Sequence, residues 1–136
     1  TLNNYMGKIL TEISEAELLD KIIILEIKIN EIKNPYLLKE VNKEYKILTN
    51  IKKNNIKVSD EVKNLYNQLK EINKRIWNIE NEKRICEKNS DFKENFIKLS
   101  RNEYIENDKR AKVKSKINEI LDSNIKEVKQ HSYNLK

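Results

Sequence analysis

The sequence contains one glycine, Gly7, and one proline, Pro35, among its 136 residues. Sheets, tight turns and phosphate-binding loops usually need several of each, because glycine supplies positive φ angles and proline fixes φ. A chain without them is largely restricted to long helices joined by short connections. The same scarcity argues against the glycine-rich phosphate loops and nucleophile elbows of many enzymes. We therefore predict an all-α fold whose function is not revealed by a catalytic motif.

The composition predicts a narrow core and leaves the meaning of the charge open. Charged residues make up 37% of the chain and hydrophobic residues 38%, so apolar side chains must be gathered in stripes. The net charge of +6 comes from many lysines and four arginines. It has two explanations, the lysine-rich drift of an A/T-rich genome or selection for binding anions.

Three regions are expected: a flexible lead-in over residues 1–12, one helical-bundle domain over 13–121 and a polar tail over 122–136. Cys86 is the single cysteine, so no disulfide can form within this sequence and a cytoplasmic location is expected. The longest unbroken apolar run, Ile22 to Leu25, is far shorter than the roughly 20 residues of a membrane span, so no membrane insertion is expected.

Capping signals divide the first half of the domain into two helices. Ser14 and Glu17 have the spacing of a capping box, which predicts helix 1 from about 15 to 33. Asn34 followed by Pro35 predicts an immediate restart as helix 2, ending near residues 54–55. The apolar positions step by three and four residues along both helices: Leu18, Ile22, Leu25, Ile29 and Ile32, then Leu38, Val41, Tyr45 and Leu48.

Two longer helices follow. Ser59 predicts the start of helix 3, which continues to about Asn89. Ser90 or Asp91 is the expected cap of helix 4, which ends near Leu121. At 1.5 Å per residue, helices 3 and 4 exceed helices 1 and 2 by roughly 15 Å.

The short connections predict antiparallel neighbours, hence an up-down bundle with two shorter and two longer helices. The hairpin of helices 3 and 4 should project by about ten residues beyond Pro35. Four apolar residues at its tip would then lack cover: Ile85, Phe92, Phe96 and Ile97. Such patches usually mark association, so we expect a homodimer formed through this tip.

Polar residues interrupt the apolar seams where helices 1, 3 and 4 should face one another. Counting residues from the helix starts places Glu26, Asn73, Asn107 and Arg110 at one height, and Arg101 level with Glu80. This arrangement is either a structural polar layer that fixes helix register or a binding site for a small ligand. The candidate site residues are Glu26, Asn73, Trp77, Glu80, Arg84, Arg101, Tyr104, Asn107, Asp108 and Arg110.

The leading hypothesis is a non-enzymatic binding and assembly protein that holds a small anion, such as a sugar phosphate or a nucleotide. Arg101 and Arg110 would bind the anion, and Trp77 would supply a flat apolar wall. Asparagine and aspartate side chains would add directional hydrogen bonds from Asn73, Asn107 and Asp108.

Two alternatives remain. Nucleic-acid binding would use a basic stretch of helix 4, namely Lys109, Arg110, Lys112, Lys114 and Lys116. A small carboxylate- or metal-dependent enzyme would use Glu80, Glu26 and Asp108. The only histidine, His131, lies in the polar tail, so the sequence gives no support to histidine-based catalysis or to histidine-containing metal sites. Nothing in the spacing of the carboxylates demands a metal ion, and no cofactor is expected.

Several stretches resemble a family of short bacterial and phage proteins known only as a domain of unknown function. The most specific stretch is Phe96-Ile97-x-Leu99-x-Arg101-x-x-Tyr104-x-x-Asn107-Asp108-x-Arg110-Ala111. Shorter ones are Glu17 to Ile22, Ile24 to Lys28, and the group Leu69, Lys70, Asn73, Trp77, Ile79 and Glu80. The likeness covers about residues 13–120. It implies no activity, but it includes most of the candidate site residues.

Overall fold

The computed structural model describes residues 7–129 and contains four α-helices over that range. They are α1 (Glu15–Glu31), α2 (Pro35–Asn55), α3 (Asp60–Lys88) and α4 (Glu94–Ile120). The residues described contain no β-strand. The prediction of an all-α bundle with two shorter and two longer helices is confirmed. Residues 1–6 of the predicted lead-in, and His131 in the tail, lie outside the described residues.

Side-chain caps begin the first three helices as predicted. The Ser14 hydroxyl accepts a hydrogen bond from the backbone N–H of Glu17 at 3.1 Å. The side chain of Asn34 accepts from the backbone of Tyr36 at 2.9 Å, directly beside Pro35. Ser59 caps α3 in the same way as Ser14 caps α1. These bonds satisfy N–H groups that the first turn of a helix leaves free.

The end of α1 lies two residues before the predicted position. Ile32, which was assigned to the helix, has an extended backbone with φ −80° and ψ 131°. Asn34 is also extended because the ring of Pro35 disfavours a helical conformation in the residue before it.

The predicted cap of α4 at Ser90 or Asp91 is wrong. The helix begins at Glu94, and Lys93 stands in the cap position without a capping side-chain hydrogen bond. Ser90 and Asp91 instead close α3: the Asp91 N–H donates to the Cys86 carbonyl at 2.8 Å, and Ser90 has a φ of 52°. This is a Schellman motif, and it delays the start of α4.

Helix α1 lies across the hairpin of α3 and α4, the pair of helices with the most extensive packing. Near its start, Glu17 pairs with Lys114 of α4, and further along, Glu26 pairs with Lys70 of α3. The core lies between these three helices. Its largest fully buried apolar side chains are Leu19, Ile22, Ile23, Val62, Leu69 and Ile117.

Helix α2 packs along α1 and buries none of its own residues completely. Its predicted seam is correct, because the half-buried residues include Leu38, Val41, Tyr45 and Leu48. Tyr45 and Leu48 reach the edge of the core. α2 is therefore an outer layer supported mainly by α1.

The tip of the α3–α4 hairpin exposes apolar side chains as predicted. Ile85, Phe92 and Ile97 are each about half exposed. Phe96 is partly covered, and its ring meets that of Phe92 edge-on with the centroids 5.5 Å apart. A homodimer through this tip stays a prediction.

Residues 123–129, named the strap here, run back along α4 from its end. The Ser123 hydroxyl lies 2.9 Å from Oδ1 of Asn118, Glu127 pairs with Lys114 at 2.9 Å, and Lys129 pairs with Asp108 at 3.6 Å. The described part of the predicted polar tail therefore has a defined course. In residues 7–129, no helix is both long and apolar enough to cross a membrane.

Candidate functional site

Asp20 is the centre of a buried polar network between α1, α3 and α4. Its exposed fraction is 1%, and it belongs to a helix face that includes Ala16 and Ile23, both fully buried. A carboxylate at such a position is costly to bury unless charged or hydrogen-bonding partners surround it.

Three side chains supply these partners. Asn73 Nδ2 donates to Asp20 Oδ1 at 2.8 Å, and Arg110 Nε donates to the same oxygen at 3.1 Å. Arg110 Nη2 donates to the second oxygen, so the guanidinium holds the carboxylate with two hydrogen bonds. Lys114 Nζ lies 3.6 Å from Asp20 Oδ2. We refer to Asp20, Asn73, Arg110, Lys114 and Glu17 as the Asp20 network.

Lys114 connects this network to the strap. Its side chain is only 8% exposed, and its Nζ lies 2.7 Å from Glu17 Oε2 and 2.9 Å from Glu127 Oε1. Burial acts to lower the pKa of Lys114, but the hydrogen bonds of Glu17 and Glu127 outweigh it and raise the pKa. The same balance holds for Arg110, where burial is outweighed by the hydrogen bond and charge of Asp20, so its pKa is also raised.

Glu17 is held ionised by its neighbours. Burial acts to raise its pKa, whereas the hydrogen bonds of Glu127 and Lys114 and the charges of Lys114 and Lys21 lower it to about 2. The network therefore contains a carboxylate that keeps its charge well below neutral pH.

A cleft of about 340 Å³ opens beside the Asp20 network, and we name it the Trp77 cleft. This volume is at the lower end of the roughly 300–1,000 Å³ typical of small-molecule sites. The apolar part of the lining is Ile24, Ile27, Ile76 and Trp77, and the polar part is Asn73, Glu80, Asn81, Arg84 and Arg110. Five of these residues were predicted as site residues: Asn73, Trp77, Glu80, Arg84 and Arg110.

Trp77 carries an unsatisfied hydrogen-bond donor. Within residues 7–129, its indole Nε1–H is a buried side-chain group without an acceptor in hydrogen-bonding distance. Leaving such a donor unpaired costs about 1–3 kcal/mol, and native proteins rarely do so. The ring also packs against the edge of the core.

Glu26 does not lie with Arg110, contrary to the prediction. It accepts a hydrogen bond from the hydroxyl of Tyr66 and pairs with Lys70 Nζ at 2.7 Å. Burial, followed by the hydrogen bond to Glu26, raises the pKa of Tyr66. The predicted alignment assumes parallel helix axes, whereas the contacts of α1 move toward the start of α3, from Asn73 beside Asp20 to Lys70 and Tyr66 beside Glu26.

The other predicted residues of α4 lie outside the Trp77 cleft. Arg101 and Tyr104 are exposed on the outer surface of the hairpin. Asn107 lines a second cavity of about 600 Å³ between α4 and the strap, together with Arg110, Lys112, Lys114 and Glu127. Asp108 pairs with Lys129 of the strap. Glu103, rather than the predicted Arg101, is the residue of α4 that lies beside Glu80.

The carboxylates proposed for an enzyme are dispersed. Glu80 is hydrogen-bonded to Glu103, which raises the pKa of Glu80 and lowers that of Glu103. Glu26 and Asp108 have the separate partners described above. Over the described range, no three histidine, cysteine or acidic side chains are grouped so that they could hold a metal ion.

The basic stretch of α4 does not form one cationic face. Arg110 and Lys114 belong to the Asp20 network, and Lys109 pairs with Glu106 at 3.2 Å. Lys112 and Lys116 are exposed. Nucleic-acid binding stays a prediction, but three of its five cations are engaged within the fold.

Asp20 is the main residue that the sequence prediction missed. The signal was present: stepping by four and three residues from Ala16 passes through position 20 to Ile23 and Ile27, all buried. Lys114 was predicted only as a surface cation, and Glu17 only as a capping residue. Asn118 was also missed; its Oδ1 accepts a hydrogen bond from the backbone N–H of Ala16 at 3.0 Å.

The sequence model of a protein family, described as "Family of unknown function (DUF6165)", matches residues 9–136. The chain belongs to this family. The match confirms the resemblance to a domain of unknown function, and it extends that resemblance through the strap. No curated protein and no solved structure shows significant similarity to the chain.

Proposed function

We propose that this member of the family is a non-catalytic binding protein whose Trp77 cleft holds a small, acceptor-rich anion of the size of a sugar phosphate or a nucleotide. The observation that carries the proposal is the buried, unpaired indole N–H of Trp77 at the border of a cleft that also contains Arg84 and Arg110. An oxygen-rich ligand would supply the missing acceptor.

The lining combines the two kinds of contact that such a ligand needs. Trp77 and three isoleucines provide an apolar surface against which a sugar or base ring can pack. Asn73, Asn81 and the two guanidinium groups provide directional donors.

The charges of the cleft favour a ligand of low negative charge. Arg110 is already paired with Asp20, and Arg84 Nη1 lies 3.3 Å from Glu80 Oε2. Glu80 also lies beside Glu103, whose hydrogen bond raises the pKa of Glu80. A polyanion would need a larger excess of cations than these residues provide.

A binding role is favoured over catalysis by the identity of the lining residues. Glu80 is the one carboxylate among them, and they include no serine, cysteine or histidine that could act as a nucleophile or base. A cytoplasmic location is proposed with this function, since Cys86 is buried as a free thiol.

The experiment uses Trp77, the only tryptophan of the chain, as an internal reporter. Tryptophan emission is followed while glucose 1-phosphate, adenosine monophosphate and, as an uncharged comparison, glucose are added. We expect a saturable change with one of the two phosphates and none with glucose.

Two exposed arginines provide a matched pair of variants. Arg84→Ala removes a guanidinium that lines the cleft, and binding should weaken by about tenfold, which corresponds to roughly 1.4 kcal/mol. Arg101→Ala removes an exposed guanidinium outside the cleft, and affinity should be unchanged. Equal loss in both variants, or no saturation with either phosphate, would reject the cleft as the site.

A further inference from the structure

The strap meets the Asp20 network at one defined point. Glu127 contacts the network through the 2.9 Å distance between its Oε1 and Lys114 Nζ. The Glu127 side chain is 51% exposed, whereas that of Lys114 is 8% exposed. The bond therefore joins a residue that solvent can reach to a cation that solvent barely reaches.

Lys114 is shared by three carboxylates. An ammonium group has three N–H donors, and Glu17, Glu127 and Asp20 lie around Lys114 Nζ at 2.7, 2.9 and 3.6 Å. The first two distances are hydrogen bonds, and the third is only an ion pair. Glu127 thus accepts a hydrogen bond from one of the N–H donors of Lys114, and Asp20 Oδ2 is the third carboxylate oxygen near that ammonium group.

Asp20 is at the same time the partner of Arg110. The oxygen that faces Lys114, Oδ2, is also the acceptor of Arg110 Nη2. A closer approach of Lys114 would therefore compete with Arg110 for this oxygen. Arg110 also lines both the Trp77 cleft and the cavity beneath the strap. A change in the hydrogen bonds between Asp20 and Arg110 therefore changes the lining of the cleft directly.

We propose that the strap regulates the Trp77 cleft: with Glu127 on Lys114, Asp20 holds Arg110 firmly, and when Glu127 leaves, Lys114 moves onto Asp20 and releases Arg110 toward a ligand. The effect on affinity rests on the proposed function of the cleft. The coupling between Glu127 and Arg110 does not.

The coupling is tested on the full chain by nitrogen–proton correlation spectra without any ligand. Trp77 gives the only indole signal, and the Nε–H signal of Arg110 is assigned by its loss in Arg110→Lys. In Glu127→Gln, we expect both signals to shift, because Lys114 has lost one carboxylate. In Glu119→Gln, which removes the same charge from an exposed position of α4, both should stay in place.

A second variant protects against an indirect effect of Glu127→Gln. Glu127→Asp keeps the charge on a shorter side chain, and it should shift the Arg110 signal in the same direction by a smaller amount. The proposal is overturned if Glu127→Gln moves the Arg110 signal no more than Glu119→Gln does. It is also overturned if the signals of the strap change while that of Arg110 does not.

The consequence for binding is measured separately with glucose 1-phosphate. Glu127→Gln should bind it about fivefold more tightly than the unmodified protein, which lies within the range of typical couplings between sites. An unchanged affinity, with binding intact, contradicts regulation. Shifted Arg110 signals with no binding in either protein support the coupling and reject the proposed function.

Discussion

At the scale of single residues, the molecule is organised around a carboxylate placed in its core. Asp20 receives hydrogen bonds from α3 and α4, so one side chain joins three helices. Apolar contacts alone can slide along a helix, whereas a carboxylate held by an amide and a guanidinium defines one register.

Removing Asp20 should therefore destabilise the fold strongly. Asp20→Ala leaves Arg110 and Lys114 with one fewer carboxylate inside the protein, and the expected loss of unfolding free energy is about 3–5 kcal/mol. Urea denaturation followed by helical circular dichroism measures this loss. Glu71→Ala removes a carboxylate from an exposed pair with Lys74, so it should cost no more than about 1 kcal/mol. Comparable losses in the two variants would contradict a structural role for the network.

Half of the candidate site was predictable at this scale. Asn73, Trp77 and Arg110 interrupt apolar seams, and interruption of a seam is visible in sequence. Asp20 was missed because it stands beside Lys21 in the sequence, and an acidic residue next to a lysine has the pattern of a solvated surface. The spacing of Asp20 from the apolar residues Ala16 and Ile23 separates it from Lys21, and the structure buries Asp20 and exposes Lys21.

At the scale of helices, local signals predicted the starts of α1, α2 and α3 and all four helix ends to within two residues. Ser14, Asn34 and Ser59 cap their helices through side-chain oxygens that any sequence analysis can recognise. The start of α4 was missed because Ser90 and Asp91 have the composition of an N-cap and the geometry of a C-terminal Schellman motif. Their backbone N–H groups instead donate hydrogen bonds to carbonyl groups of α3, and only the three-dimensional structure shows this pairing.

Ser90 offers a direct test of this geometry. Its φ of 52° is in the left-handed region, which is unfavourable for any residue with a Cβ atom. Ser90→Gly should raise the unfolding free energy by about 0.5–1 kcal/mol, since glycine relieves this strain but is more flexible when unfolded. Asn89→Gly serves as the control, because Asn89 has a φ of −93° and gains nothing from glycine. Thermal or urea unfolding distinguishes the two, and stabilisation by both changes would contradict the assignment.

At the scale of the whole molecule, the fold class followed from composition, but the arrangement of α1 did not. The scarcity of glycine and proline predicts helices, and the short links predict that consecutive helices are neighbours. The angle between neighbours depends on side-chain packing that a residue count does not contain. For this reason the sequence correctly predicted that Asn73 of α3 and Arg110 of α4 lie close together. It wrongly predicted Glu26 as their partner on α1.

The exposed tip of the α3–α4 hairpin leads to a prediction about assembly. Light scattering coupled to size-exclusion chromatography should give twice the chain mass of 16.3 kDa at micromolar concentration. Phe92→Glu and Ile97→Glu each place a charge in the apolar tip and should give the monomer mass. Val58→Glu, at another exposed apolar residue between α2 and α3, should leave the dimer intact. A monomer mass for the unmodified chain contradicts the prediction.

Helix α2 is attached differently from the other three helices. It rests on α1, and none of its residues is fully buried, whereas each of the other three helices contains several buried residues. Amide hydrogens of α2 should consequently exchange with solvent through a local opening while α3 and α4 stay protected. Evolution or design can then alter this layer, or exchange it between copies, with the contacts around Asp20 left in place.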